Sequence, residues 1–186
     1  MASICVFCGS QSGDDPQYVQ AAHDLGKFLA SNNHTMVYGG GSTGMMGAIA
    51  DAMLELDGHI IGVIPVHLAR VELMHAAVKD MRLTADMHER KATMHRLSDI
   101  YVALPGGFGT MEELFEAITW AQLDLHTHPI VVANINGIYD GLVQLIDGMK
   151  DSHFLSEKCR NLVTIVNTSE SLLQWLGDTT QSIASV

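Results

Sequence analysis

The sequence is short of several things, and each shortage closes off a class of protein. Its three cysteines, Cys5, Cys8 and Cys159, are too few for a disulfide framework. Basic residues number 10 against 21 acidic ones, a net charge of −11. That balance disfavours general binding to nucleic acid or to anionic membranes, both of which reward a basic surface. An anionic ligand would need a local positive site. No apolar run reaches the ~18 residues of a membrane span. Met1-Ala2-Ser3 leads straight into an apolar segment without the basic stretch of a secretion signal, so a cytoplasmic protein is expected. There is no Gly-x4-Gly-Lys-Ser/Thr loop, which argues against an ATPase. His126-x-His128 has no second cluster to complete a metal site and is expected to lie on the surface. Cys5-Val6-Phe7-Cys8 has redox spacing, but Cys5 falls inside a strand and not at a helix start, where a reactive thiolate is usually made.

What is present is an apolar, weakly charged chain, 47% hydrophobic and 17% charged, and therefore globular. Its 186 residues suit one α/β domain spanning 1–186, long enough to bury roughly 70% of its unfolded surface. Short Val/Ile-rich runs read as strands at Ser3–Phe7, Thr35–Tyr38, His59–Ile64, Ile100–Leu104, Ile130–Ala133 and Leu162–Ile165. Between them, helical spacing runs over Tyr18–Ala30, Met45–Leu56, Asp86–Leu97, Met111–Leu123, Ile138–Met149 and Ser169–Leu176. Pro16 can open the first helix. Ala69–Met81 reads as irregular, with a short helix around Glu72–Ala77, and Gly177–Val186 as a frayed tail. Alternating strands and helices without hairpin turns predict a Rossmann-like, doubly wound parallel sheet with helices on both faces. Such sheets bind ligands beyond the carboxyl ends of their strands. The loops Cys8–Gly13, Gly39–Gly44 and Pro105–Gly109 are expected to converge there.

Two of these loops are strand–glycine–helix junctions. Pro105-Gly106-Gly107-Phe108-Gly109-Thr110-Met111-Glu112-Glu113 joins three glycines to a helix start, the makings of an anion site. Two readings of Glu113 stand side by side. Thr110-x-x-Glu113 fits a capping box, with Thr110 as N-cap; a carboxylate beside a phosphate site equally fits chemistry on a phosphorylated molecule. Gly39-Gly40-Gly41-Ser42-Thr43-Gly44 follows the second strand. It is a poor dinucleotide fingerprint, which belongs after the first strand, and tight helix–sheet packing at Gly47 is its plainer reading. In the helix from Asp86, Met87, Arg90, Lys91 and Met94 share one face. That face would suit a flat, nitrogen-rich ring with charge nearby, or an amphipathic helix whose basic groups snorkel.

Pro105-Gly-Gly-Phe-Gly-Thr-Met-Glu-Glu113, Gly39-Gly-Gly-Ser-Thr-Gly-Met-Met-Gly47 and Met87-His-Glu-Arg-Lys91 together resemble the LONELY GUY family of cytokinin riboside 5′-monophosphate phosphoribohydrolases, proteins often labelled lysine decarboxylases. The resemblance runs from Cys8-Gly-Ser to about Val166. It implies a Rossmann-like enzyme, dimeric or larger, that hydrolyses the N-glycosidic bond of an N6-substituted AMP to free base and ribose 5-phosphate. It implies Arg90 and Glu113 as the catalytic pair and Gly106, Gly107, Gly109 and Thr110 as the phosphate loop. It places Met87 and Lys91 near the nucleotide, and Ser10 with Gly41, Ser42, Thr43 and Gly44 in loops lining the same pocket. Arg70 matches a further basic residue more weakly. Gln11, Asp124 and His128 depart from the usual Ser, Gly and Lys outside the motifs. The partner implied is a small nucleoside monophosphate, with no metal and no organic cofactor. Two other classes remain open: a pyridoxal-phosphate decarboxylase, which needs a Schiff-base lysine that nothing marks among Lys27, Lys79 and Lys91, and a nucleotide-binding module without catalysis.

Overall fold

A strand buried on both faces must be apolar at every position, and the alternation of its side chains then feeds two cores at once. In the computed structural model, which describes residues 1–71 and 74–184, β1 (Ser3–Phe7) sends Ile4 and Val6 to one face and Cys5 and Phe7 to the other. β2 (Thr35–Tyr38), β3 (His59–Pro65), β5 (Ile100–Ala103) and β6 (Ile130–Ala133) divide in the same way. With β4 (Asp80–Thr84) and β7 (Val163–Val166) they form a seven-stranded sheet, all parallel, in the order β4-β3-β2-β1-β5-β6-β7. One face is covered by α1 (Pro16–Ser31), α2 (Gly44–Leu54) and α8 (Ser169–Ala184). The other is covered by α4 (Met87–Arg96), α5 (Phe108–Gln122) and α6 (Asp140–Asp151). The expected doubly wound α/β fold is the observed one.

The differences lie at the edges. β4 falls where irregular chain was expected up to Met81, because Asp-Met-Arg-Leu-Thr lacks a β-branched run and its middle faces solvent. Its Asp80–Arg82 ion pair puts charge on the exposed edge, as edge strands commonly do. The single-turn helix α3 (Val66–Val71) precedes it. Glu72 and Leu73 of the short helix read around Glu72–Ala77 lie outside the described residues, as does the Arg70 side chain; Ala76 and Ala77 form a turn. A further turn of helix, α7 (Glu157–Arg160), is capped by Ser156. α8 does not stop at Leu176 but runs on to Ala184, so the expected frayed tail is largely helix.

What matters for function is where strand order reverses. β1 leads outward to β2 and β3, while β5 leads the other way to β6 and β7. The crevice therefore opens between the carboxyl ends of β1 and β5. The loops after β1 and β5 are joined there by Gly9 N–H donating to the Pro105 carbonyl (3.1 Å). The loop after β2 joins them through Met46 N–H to the Gly9 carbonyl (3.3 Å) and the Thr43 hydroxyl to the Ser10 carbonyl (3.2 Å).

Candidate active site

Helix α5 starts three residues earlier than its apolar spacing indicates. Its N-cap is Gly107, and no side chain caps it. Thr110 and Glu113 are thus both inside the helix, and the capping box expected of them does not form. The first-turn N–H groups, which a helix leaves without internal partners, belong to Phe108, Gly109 and Thr110, residues that line the crevice. Thr110 is buried, and its Oγ1 has no hydrogen-bond partner among the described residues. A buried hydroxyl without a partner is rare and calls for an explanation. By contrast the Asp86 side chain does cap α4, accepting from Glu89 N–H (2.9 Å). Glu89, however, reaches back to Ala85 N–H (2.6 Å), one residue beyond the usual target.

That cap sets the rotation of α4 and so the direction of Arg90. Its Nε donates to the Val63 carbonyl at the end of β3 (3.0 Å), and its Nη1 donates to Glu113 Oε1 (2.8 Å). A methyl group at Gly39 would overlap the guanidinium, so glycine there is the seat on which Arg90 lies. The two charged side chains are 12% and 9% exposed, and that residual exposure opens onto a cleft of about 220 Å³. Its walls include Gly39, Met46, Ser10, Gly107, Gly109 and Thr110. A second lobe of about 280 Å³ shares Gly9, Ser10 and Gly107 with the first and continues under the β1 loop past Tyr18, Met45 and Ile138. Burial pushes the Glu113 carboxyl above the usual range. The Arg90 guanidinium opposes that shift and the neighbouring Glu112 adds to it. The cleft therefore holds a positive group, a carboxylate and an uncapped helix start within one small volume.

Of the residues singled out in sequence, Ser10, Arg90, Gly107, Gly109, Thr110 and Glu113 border the first lobe, and Gly106 borders the second. Gly41, Ser42, Thr43 and Gly44 border neither among the described residues; Gly41 lies against Met46, Thr43 and Gly44 against Ser10, and the Ser42 carbonyl against Gly47. Met87, half-buried at the start of α4, is also outside both. Lys91 turns away to α5, where its Nζ pairs with Glu112 and with Glu116 Oε2 (2.7 Å). Met94, on the same helix face, is core. Burial pushes both the Cys5 and Cys8 thiols up, with the Glu113 charge adding to it, so neither is a ready thiolate.

One cluster escaped the sequence reading. His126 and His128 are not at the surface but half-buried and stacked on each other (5.2 Å between ring centroids), next to Tyr101. His95 lies between Tyr101 and Trp120, stacked on the indole at 4.3 Å. His126 Nε2 is taken by the Ala117 carbonyl (2.9 Å) and its Nδ1 accepts from His128 N–H, and no group of three metal ligands occurs among the described residues. The rings come from α4, β5, α5 and the loop before β6, so no local spacing announces them.

The family model described as possible lysine decarboxylase matches residues 46–176. Cytokinin riboside 5′-monophosphate phosphoribohydrolase LOG4 of Arabidopsis thaliana is 46% identical over 173 residues, 93% of this chain and 80% of the relative. The probable phosphoribohydrolase LOGL6 of Oryza sativa subsp. japonica is 44% identical over 173 residues, 93% of this chain and 69% of the relative. Among solved structures, the Moco carrier protein from Chlamydomonas reinhardtii superposes with a TM-score of 0.72 at 19% identity, covering 97% of this chain and 98% of that one. At that identity the likeness speaks for the fold alone. The sequence matches go further: the chain belongs to the LOG family of cytokinin riboside 5′-monophosphate phosphoribohydrolases.

Proposed function

We propose that this chain is a phosphoribohydrolase that cleaves the N-glycosidic bond of AMP and its N6-substituted derivatives, releasing free base and ribose 5-phosphate. The observation that carries the reading is the Arg90–Glu113 pair standing at the mouth of a helix start that has a glycine loop, no cap and an orphaned Thr110 hydroxyl. The 5′-phosphate binds the backbone N–H groups of Gly106, Gly107 and Gly109 and the Thr110 hydroxyl, where the α5 dipole favours an anion. Anchoring the phosphate remotely positions the sugar. The ribose then lies against Glu113 and the base against Arg90. As the C1′–N9 bond breaks, its electron pair leaves with the base and positive charge grows on the ribose. The Glu113 carboxylate stabilises that charge and orients the water that attacks C1′. The water oxygen forms the new bond to C1′ and gives up a proton, and the base takes one from solvent. Arg90, always charged, stabilises the departing base instead of protonating it. Ser10 closes the phosphate side of the cleft, held by the second glycine loop through Thr43.

The whole chain acts as one domain, and no metal or organic cofactor is invoked. Lys91, a candidate for a Schiff base, is held between two carboxylates, an arrangement that favours the charged over the nucleophilic form. The active species is a homodimer or larger homo-oligomer in the cytoplasm. Exposed apolar side chains at both ends of α5, Phe108 (96% exposed) at its start and Leu123 and Leu125 past its end, support self-association. No helix among the described residues is long and apolar enough to cross a membrane. Chromatography of reactions with AMP, isopentenyl-AMP and adenosine tests the activity. Free base is expected from the two nucleotides and not from adenosine. Equal turnover of adenosine would overturn the role of the phosphate site, and nucleotide binding without base release would leave a binding module.

A further inference from the structure

The glycine loop after β5 has little of its own to hold it in place. A Cβ at Gly107 or Gly109 would meet nothing within 4 Å among the described residues, so no packing fixes those two positions. Glycine backbone is also the most costly to order. The ladder between β5 and β6 ends at Ala103 and Val132, just before the loop begins. Two contacts take over from it. Gly9 N–H donates to the Pro105 carbonyl (3.1 Å), and the Tyr139 hydroxyl donates to the Leu104 carbonyl (2.8 Å). Leu104 is fully buried, so its carbonyl needs a partner from within the protein.

Tyr139 comes from the loop between β6 and α6, 35 residues further on, and is itself held firmly. Its ring belongs to the core under α5 and α6. Its N–H donates to Asn134 Oδ1 (2.7 Å), and Asn134 Nδ2 donates to Asp140 Oδ1 (2.7 Å) and Asn167 Oδ1 (3.2 Å). Burial pushes the Tyr139 pKa up, so the hydroxyl keeps its proton and remains a donor. The same loop reaches the opposite wall of the crevice. Asn136, in the left-handed region (φ 51°), donates from Nδ2 to Asp15 Oδ2 (2.6 Å), and Asp15 Oδ1 caps α1. Resting on the reading of the β5 loop as the phosphate site, we propose that Tyr139 is its positioning residue: the hydroxyl, braced through Asn134, fixes the Leu104 carbonyl and with it the place at which Gly107, Gly109 and Thr110 meet the phosphate. Tyr139 borders neither lobe of the cleft among the described residues, so it acts through the loop alone.

Tyr139→Phe removes one oxygen and keeps the ring in the core, so the variant folds, with a Tm lower by about 2–5 °C. Ribose 5-phosphate and adenine, titrated separately by calorimetry, divide a positioning role from a structural one. The dissociation constant for ribose 5-phosphate should rise about five- to tenfold, the scale of one hydrogen bond, and that for adenine should stay within about twofold. For AMP, KM should rise by about the same factor while kcat stays within about threefold. Asn136→Gly cuts the exposed tie to Asp15 and suits the left-handed backbone; it should leave both dissociation constants within about twofold. A Tyr139→Phe protein with a lower Tm and wild-type affinity for ribose 5-phosphate would make Tyr139 a packing residue and overturn the proposal. Equal weakening of adenine and ribose 5-phosphate, or equal weakening of ribose 5-phosphate by both variants, would show a general loosening and overturn it as well. The wild type separates the two levels. If ribose binds it as well as ribose 5-phosphate does, the reading of the phosphate loop fails. If the phosphate is required and Tyr139→Phe binds it normally, only the positioning role fails.

Discussion

The two glycine loops look alike in sequence and are used in opposite ways. In the loop after β2, a side chain added at Gly39 would overlap Arg90, at Gly44 the Ser10 backbone and at Gly47 the Ser42 carbonyl. These glycines are present because protein already fills the space. In the loop after β5, a Cβ at Gly107 or Gly109 would have nothing within 4 Å among the described residues. At Gly106 a Cβ would overlap Thr110 and Gly9, but at Gly107 and Gly109 internal packing does not demand glycine; the close approach of something outside the chain would. One loop is a brace that aims Arg90 and holds Ser10, and the other is the surface that receives. A glycine motif therefore says that backbone comes close to something, and only the packing around it says to what.

Substitutions can break or sharpen this contrast. The largest effect is expected on the helix that the receiving loop opens. With the capping box absent, Glu113→Gln has no cap to disturb. Turnover of AMP should fall at least about a hundredfold, the scale for a positioned charge-stabilising group, while the Tm moves by only a few degrees. Near wild-type turnover would transfer the chemistry to another acid. On the bracing side, Gly44→Ala should act through folding. Gly44 has φ +60°, which costs an L-residue about 1–2 kcal/mol, and the methyl would meet the Ser10 backbone as well. A loss of about 3 kcal/mol lowers the Tm of a chain this size by roughly 10 °C, measurable by calorimetry. An unchanged Tm would mean that the two loops are not packed as described.

Gly107→Ala is the matching change on the receiving side and should behave in the reverse way. The new methyl meets no protein atom and Gly107 has a negative φ (−98°), so the Tm should stay within about 2 °C. The methyl would, however, project from the N-cap of the proposed phosphate site. A misplacement of the phosphate by a fraction of an ångström should cost about thirtyfold in kcat/KM. A variant that loses stability and keeps activity would reverse the assignment of the two loops.

Much of this division was readable before folding, and the remainder was unreadable for definite reasons. β1, β2, β5 and β6 announce themselves because burial on both faces demands unbroken apolar runs, whereas β4, exposed at the sheet edge, carries no such demand. The motif residues Arg90 and Glu113 were legible as types, and the fold brings them to 2.8 Å. The helix start was misplaced because Thr110-x-x-Glu113 satisfies the capping pattern, while the chain begins its helix at the glycines, which apolar spacing cannot mark. The motif places Lys91 near the nucleotide but does not show its ion-pair partners. Glu112 and Glu116 lie more than twenty residues away on another helix, where helical spacing on α4 has no reach.

Thr110 offers the smallest and most diagnostic test, because its two expected effects have opposite signs. A buried hydroxyl without a partner costs about 1–3 kcal/mol, and among the described residues Thr110 Oγ1 is such a group. Thr110→Val keeps the shape and removes the hydroxyl. If the hydroxyl waits for a phosphate oxygen, the ligand-free variant should be more stable than wild type, by about 2–4 °C in Tm. The same variant should lose one charge-assisted hydrogen bond to the substrate, about tenfold in kcat/KM for AMP, and with it part of the Tm increase that ribose 5-phosphate confers on the wild type. Thr110→Ser, which keeps the hydroxyl, should retain most of the activity. A structural threonine would lose stability on becoming valine and leave catalysis alone. Higher Tm without ligand, lower activity and weaker protection by the sugar phosphate, all in one variant, is the pattern of a residue held at a cost in stability for its ligand.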